Sequence, residues 1–220
     1  MDFSPAEEST RERLRRAATE IFVEKGYAGA TVRDICKRAK ANVAAVNYHF
    51  GSKEGLYENV LTTFKEECER RFPLDLDLPP EPTPEDRLLA CIRALLLRMA
   101  GDDDPVHAAQ GKLMSMEIMN PTSVLDRLMT TYMMPCSAFL TGIVRDLLGP
   151  EAEADTVRVC VGGVVSQCVF YVQNRTVITR LYPGVSYDHQ GLMRIAQDIL
   201  RFSLHGIMGI RLCTDLPPAQ

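Results

Sequence analysis

The chain has 220 residues, of which 46% are hydrophobic and 25% charged, which excludes a disordered or low-complexity protein and suits one or two globular domains. Its formal net charge is −4, but residues 11–53 carry ten Lys/Arg against four Asp/Glu, and the remainder carries fifteen against twenty-five. A basic block on an acidic body is typical of a DNA-binding head joined to a domain that does not bind DNA.

Helix signals follow one another through this basic block. Ser9 and Glu12 have the spacing of a capping box, and the apolar residues after them recur at helical spacing as far as Lys25-Gly26. Thr31 is placed to cap a short second helix through Ala39, and Asn42 a third helix that ends at Gly51. Ser52 is placed to cap a fourth helix with a long apolar stripe.

The second half of the chain also has a helical pattern. Five prolines between Pro73 and Pro84 predict an extended connector, after which Thr83 caps a new helix that closes at Gly101. Further helices are predicted at about 107–119, 123–148 with a break or kink near Pro135, 151–174 and 190–205. The Val-rich stretch around Gly162 could also form a buried strand, although its length favours a helix.

These patterns predict an all-α protein of two domains. Residues 1–60 form an N-terminal three-helix, helix-turn-helix DNA-binding domain, because two short helices meet across only a few residues near Lys40. Residues 61–220 form a larger helical domain for ligand binding and dimerisation.

Several other classes of protein are disfavoured. The N-terminus lacks the apolar stretch of a secretory signal, and the most apolar run is too short and too polar to span a bilayer, so we expect a cytoplasmic protein without membrane contact. The seven cysteines have no Cys-x-x-Cys spacing, which argues against a disulfide framework or a metal site. No phosphate loop, nucleophile elbow or His/Cys/carboxylate cluster indicates an enzyme or a cofactor.

Three separated motifs carry a resemblance to a known family. They are Glu20-Ile-Phe-Val-Glu-Lys-Gly-Tyr27, Thr31-Val-Arg-Asp-Ile-Cys-Lys-Arg-Ala39 and Tyr48-His-Phe-Gly-Ser-Lys-Glu-Gly-Leu56. Residues 9–60 closely resemble the DNA-binding domain of TetR-family repressors, and the segment from Asn47 to Lys53 looks most like the CecR-like branch. Pro121-Thr122 and the segment 165–171 support that placement. The chain departs from the family pattern at Lys40, where a glycine is usual, and at Asn47, where an aromatic residue is frequent.

The resemblance and the residue chemistry together predict the DNA contacts. Backbone phosphates would be contacted by Thr31 and Lys53 at helix N-termini and by Tyr48 and His49, whereas Arg33 could reach a phosphate or a base. His49 could equally serve as a helix C-terminal cation. Asn47 is the expected base reader, since its amide can pair with adenine, and small side chains would let the helix sit deep in the groove. The complete predicted set is Thr31, Arg33, Asn42, Ala44, Ala45, Asn47, Tyr48, His49 and Lys53.

The expected partners are double-stranded operator DNA, a second copy of the chain and a small molecule. The resemblance implies a homodimer through residues of about 151–174 and 190–205. Methionines concentrated between Met99 and Met134 suggest an adaptable apolar pocket, although such residues also serve as core filler. The predicted effector-binding residues are His107, Gln110, Met114, Met119, Met133, Phe139, Gln167, Phe170 and Tyr171. Besides an enzyme, the other alternative is a helical interaction or ligand-carrier protein with a vestigial head, and the basic block argues against it.

Overall fold

The computed structural model describes residues 9–101 and 104–213, and the regular elements in these ranges are all helices, which confirms the all-α prediction. In chain order they are α1 (Thr10–Gly29), α2 (Val32–Ala39), α3 (Val43–Phe50), α4 (Lys53–Arg71), α5 (Pro84–Ala100), α6 (Pro105–Met119), α7 (Leu125–Leu128), a π-helical turn (Met129–Met133), α8 (Met134–Leu148), α9 (Ala154–Gln173), α10 (Arg175–Leu181) and α11 (His189–Cys213).

The predicted helix starts are confirmed at the level of individual hydrogen bonds. Ser9 and Glu12 form a capping box at α1, with the Ser9 hydroxyl accepting from the Glu12 amide at 3.2 Å. Thr83 and Asp86 form a second box at α5, where Pro84 occupies the first helical position. The extended Val-rich alternative is excluded, because residues 154–173 form the single helix α9.

The first compact unit comprises residues 9–67 and 105–128 of the described chain. Helices α1, α2 and α3 pack around a fully buried core to which α4 contributes Leu56 and Tyr57. Helix α6 packs on α1, and its His107 ring lies 4.8 Å from the Phe64 ring centroid of α4. This unit holds the helix-turn-helix. Its buried residues include Leu14, Ile21, Phe22, Ile35, Val46, Leu56 and Leu61.

The second compact unit comprises residues 68–101, 104 and 129–213 of the described chain. Helix α5 is its centre and packs against α8, α9 and α11, which also pack against each other. Because α5 is enclosed on several sides, most of its apolar residues are buried. The core includes Leu88, Cys91, Ile92, Leu96, Ile143, Val164, Cys168, Leu192 and Ile199.

The division of the chain differs from the predicted boundary at residue 60. The segment 105–128 packs with the head, whereas the proline-rich segment lies inside the second unit, where Leu74 and Leu76 cover its core. The sequence does not show which helices pack against α6. Its contacts with α1 and α4 join residues that are far apart in the chain.

The break or kink predicted near Pro135 is present as the π-helical turn Met129–Met133, which directly precedes Pro135 in the first turn of α8. Proline has no amide hydrogen and its ring crowds the carbonyl four residues earlier, so the chain accommodates it with one wider turn. Helix α10 was not predicted, and α11 continues to Cys213, beyond its predicted end near residue 205.

Candidate nucleic-acid interface

The turn between α2 and α3 forms without glycine. Lys40 adopts the left-handed conformation at φ 50° and ψ 46°, as the sequence requires if the helix-turn-helix is to close. The Ala41 amide donates to the Cys36 carbonyl at 3.0 Å, and the Cys36 thiol lies 3.6 Å from the Asn42 carbonyl. These bonds offset the cost of the unusual backbone, which is about 1–2 kcal/mol for a residue with a side chain.

Helix α3 presents one buried and one exposed face. Val46 is fully buried, whereas Ala44, Asn47 and Tyr48 are exposed, with 85% of the Tyr48 surface accessible. Ala45 and His49 are intermediate, and the His49 ring lies 4.9 Å from that of Tyr48. The predicted reading residues of this helix therefore project from the surface opposite its core contact.

Val43 and Val46 are three residues apart in α3, a helical spacing that predicts the same buried face for both, but Val43 does not pack inward. It is 44% exposed and stands one helical turn before Asn47 on the same side of α3. Side chains in a helix tilt toward its N-terminus, so the first residue of α3 projects beyond the part that packs on α1 and α2. The spacing of Val43 and Val46 predicts only the face of α3 on which they lie. It does not show that Val43, at the first position of the helix, extends past the packed region.

The two predicted N-caps use their side chains on their own helices. Thr31 accepts a hydrogen bond from the Asp34 amide at 3.1 Å, and Asn42 accepts one from the Ala44 amide at 2.9 Å. Both residues remain exposed, as does Arg33 in the first turn of α2. The amides at each helix start thus remain near the surface, where the helix dipole favours an anion.

Lys53 has a different environment from the one expected of a solvent-facing phosphate contact. Its Nζ donates to the carbonyls of Tyr27 at 2.7 Å and Ala30 at 3.0 Å, and lies 4.3 Å from the centroid of the Tyr27 ring. The side chain is half-buried. Two of its three N–H donors are therefore used inside the head.

The acidic residues of the basic block are engaged with neighbours on α1 and α2. Arg38 binds Glu20 at 2.8 Å and Glu24 at 3.0 Å, and its hydrogen bonds hold the pKa of Glu24 below the ordinary value. Lys25 binds Asp34 at 2.8 Å, and this bond likewise lowers the pKa of Asp34. None of these carboxylates belongs to α3, so the exposed face of α3 lies outside the ion-paired region.

The first unit contains a buried carboxylate that was not predicted from the sequence. Glu117 of α6 is 1% exposed and accepts hydrogen bonds from the Tyr57 hydroxyl at 2.9 Å, the Thr122 amide at 2.9 Å and the Thr122 hydroxyl at 3.0 Å. Burial, and then the bond to Glu117, raises the pKa of Tyr57. The Pro121-Thr122 motif was the available signal, but the sequence does not show that its partner is Glu117.

The predicted effector residues are divided between the two units. His107, Gln110, Met114 and Met119 belong to the first unit, and Met119 is 71% exposed. The other five belong to the second unit, where Phe139 and Tyr171 pack on the core, Phe170 is 56% exposed and Gln167 donates to Ser203 at 3.1 Å. A cavity of about 630 Å³ in the first unit has other walls, namely Lys25–Ala28, Tyr57, Leu113, Met116 and 120–123.

An apolar surface runs along α9 and α11 in the second unit. Val159, Phe170 and Phe202 are more than half exposed, and a cleft of about 160 Å³ lies between the two helices around Gly163 and Gly206. A Cβ at Gly162, Gly163, Gly206 or Gly209 would meet nothing within 4 Å. By length and composition alone α9 could cross a membrane. Its most apolar stretch of 18 residues has a mean hydropathy of 1.2, and 22% of that stretch is buried. The core helix of a soluble protein has the same length and composition.

No group of three His, Cys, Asp or Glu side chains within residues 9–101 and 104–213 is arranged to hold a metal ion.

Both the N-terminal and the C-terminal part of the chain match known protein families. Residues 14–60 match the bacterial regulatory proteins of the tetR family, and residues 84–207, more than half of the chain, match the C-terminal domain of the HTH-type transcriptional dual regulator CecR.

The similarity to individual proteins is moderate. The probable HTH-type transcriptional regulator YttP of Bacillus subtilis (strain 168) is 25% identical over 126 residues, which cover 57% of this chain and 58% of YttP, little more than half of each. The HTH-type transcriptional dual regulator CecR of Shigella flexneri is 32% identical over 164 residues, covering 66% of this chain and 68% of CecR.

A solved structure extends the likeness of fold to nearly the whole chain. The regulator AibR, solved with isovaleryl coenzyme A and operator DNA, aligns with a TM-score of 0.65 over 88% of this chain and 97% of AibR at 14% identity. The chain belongs to the TetR family of bacterial transcriptional regulators and carries a C-terminal domain of the CecR type.

Proposed function

We propose that this chain is a cytoplasmic, ligand-responsive transcriptional repressor that binds a palindromic operator as a homodimer and is released by a small, largely apolar effector. The observation that carries the proposal is the exposed face of α3, where Ala44, Asn47 and Tyr48 project from the head while Val46 anchors the helix. A helix-turn-helix reads DNA with such a face.

In the proposed complex α3 lies in the major groove. Asn47 pairs with an adenine, Ala44 leaves room for close approach, and Tyr48 contacts the backbone. Thr31 and Arg33 at the start of α2 bind phosphate, where exposed amides and the helix dipole add to the attraction. Val43 joins Asn47 on the reading face, because its exposed methyl groups suit contact with a thymine methyl group.

The proposed dimer forms through the α9–α11 surface. Phe202 is 71% exposed and Val159 55%, and burying such side chains against a second copy stabilises the assembly. The open glycines on both helices allow backbones to approach closely. A two-fold axis there gives two reading heads, since one head alone buries little surface on DNA. The same pairing accounts for the apolar character of α9.

The proposed function also includes a small-molecule effector that controls operator binding. AibR, which has the same fold, was solved with both operator DNA and an acyl coenzyme A, so one molecule of this architecture binds both partners. In our chain a ligand that favours a conformation with wrongly spaced heads would weaken operator binding. Operator DNA would weaken binding of that ligand by the same free energy.

Selection from a randomised duplex library with the full chain tests the proposal. We expect the recovered sequences to share an inverted repeat with half-sites one helical turn or a multiple of it apart, and binding to weaken steeply with salt. Recovery of no common sequence, with weak and uniform binding to all duplexes, would favour the carrier protein with a vestigial head.

A further inference from the structure

A cleft on the surface of the second unit is lined by three arginines. It lies between α5 and α11 and has a volume of about 360 Å³, and its walls are Arg93, Met193, Arg194, Gln197, Asp198 and Arg201. Three guanidinium groups against one carboxylate give it a formal charge of +2. Outside residues 11–53 the chain carries fifteen Lys/Arg against twenty-five Asp/Glu, so a basic cleft here runs against the charge of the rest of the chain.

Arg93 reaches the cleft from the central helix of the unit. Its neighbours Ile92 and Ala94 are fully buried in the core, and its own Nε is buried without a hydrogen-bond partner in the described part of the chain. Arg87, six positions earlier on α5, instead binds Asp146 at 2.6 Å. Buried polar groups are nearly always hydrogen-bonded, so an unsatisfied guanidinium donor beside a cleft points to an acceptor that binds there.

Arg194 and Arg201 line the cleft from α11. They are seven positions apart, which places them two turns apart on one side of the helix, and both are exposed. Arg194 donates to the Ser186 hydroxyl at 3.1 Å, which orients its guanidinium and occupies one of its five N–H donors. Neither arginine forms an ion pair with a carboxylate of residues 9–101 or 104–213, Asp198 included. Their charges are therefore available to an anion.

A dimer formed through α9 and α11 would leave this cleft open. Successive residues of a helix are about 100° apart, so Arg194 and Arg201 lie roughly 80–100° from Phe202 around the axis of α11. The cleft between α5 and α11 shares no lining residue with the apolar cleft between α9 and α11. The arginines and the proposed dimer surface therefore use different sides of the same helix.

We propose that the α5–α11 cleft binds the phosphate groups of a small phosphorylated molecule. Each guanidinium offers a planar pair of N–H donors that matches two phosphate oxygens, and three such groups suit an anion that carries more than one charge. The volume lies within the range of about 300–1,000 Å³ that is usual for small-molecule sites, so an organic group also fits beside Met193 and the apolar stems of the arginines. The site is separate from the largely apolar effector of the proposed function and needs no DNA.

Isothermal titration calorimetry of the full chain, without DNA and at constant ionic strength, tests the site. Inorganic diphosphate is the probe and succinate is the carboxylate control. We expect one diphosphate to bind per chain, at least about tenfold more tightly than succinate. Arg194→Gln combined with Arg201→Gln removes two charge-assisted partners and should weaken diphosphate binding at least about tenfold. Both positions are exposed on a helix, so the fold should survive, as judged by circular dichroism.

Arg145→Gln combined with Arg180→Gln is the matched control, because it removes the same charge from exposed positions of the same unit, on α8 and α10. Screening by salt should keep its effect on diphosphate affinity below about twofold. Arg93→Lys keeps the charge but loses the planar donor pair, and it should weaken binding about threefold or more. Absence of saturable binding, equal losses in the two double variants, or succinate bound as tightly as diphosphate overturns the inference. Because DNA takes no part in the measurement, none of these results affects the proposed function.

Discussion

Replacing Glu117 with alanine tests whether the buried carboxylate holds the first unit together. The Tyr57 hydroxyl is buried with its ring and would lose its acceptor, while the half-buried Thr122 could turn partly to water. One buried donor left unsatisfied costs about 1–3 kcal/mol, and the cavity left by the side chain adds to this. We expect the free energy of unfolding of this unit to fall by about 2–4 kcal/mol.

Glu117→Gln is the matched control, since it has nearly the same volume. Its amide oxygen can accept from both donors of Thr122, and its NH₂ group can donate to the Tyr57 oxygen after the hydroxyl rotates. All three contacts survive in this arrangement and no cavity forms, but the Tyr57 proton no longer points at an acceptor. The loss should therefore be about 1–2 kcal/mol and stay about 1 kcal/mol or more below that of alanine.

Urea denaturation followed by circular dichroism gives the overall effect, and hydrogen exchange read by mass spectrometry locates it. Because the chain has two compact units, a single two-state transition is not assumed. Faster exchange should be confined to α4, α6 and their neighbours in the first unit. Equal losses within about 0.5 kcal/mol for alanine and glutamine, or no loss for alanine, would refute the reasoning.

Three further outcomes are expected. Asn47→Ala should lose about 1–3 kcal/mol on the selected duplex and relax its preference at one base pair, measured by competition binding; equal loss on a scrambled duplex would make Asn47 a backbone contact. Phe202→Asp should shift the chain from dimer to monomer in sedimentation, whereas Val106→Asp, which is also exposed but lies on α6, should not. Burial raises the pKa of Cys91 and of Cys168 to about 12, so at pH 8 both thiols stay protonated and should resist iodoacetamide until urea unfolds the protein; rapid labelling of the native chain would contradict this.

Local rules within the sequence determined the all-α class and most helix boundaries. A capping box joins residues three positions apart, as at Ser9 and Glu12, and a left-handed turn follows from the spacing of two helices around Lys40. Once Val46 is assigned to the buried face of α3, helical geometry places Asn47 and Tyr48 on its other faces, where they are exposed. Such features depend on neighbours within about one helical turn, so the sequence is enough to predict them.

Tertiary structure decided the features that join distant parts of the chain. Tyr57 and Glu117 are 60 positions apart, and Lys53 is 26 positions from Tyr27, so neither contact follows from periodicity or motif spacing. The exposure of Val43 and the place of α6 in the first unit depend on which surfaces the other helices cover. Any apolar stripe can pack on several partners, and the choice is made by the shape and hydrogen-bonding needs of the whole core, which no single segment contains.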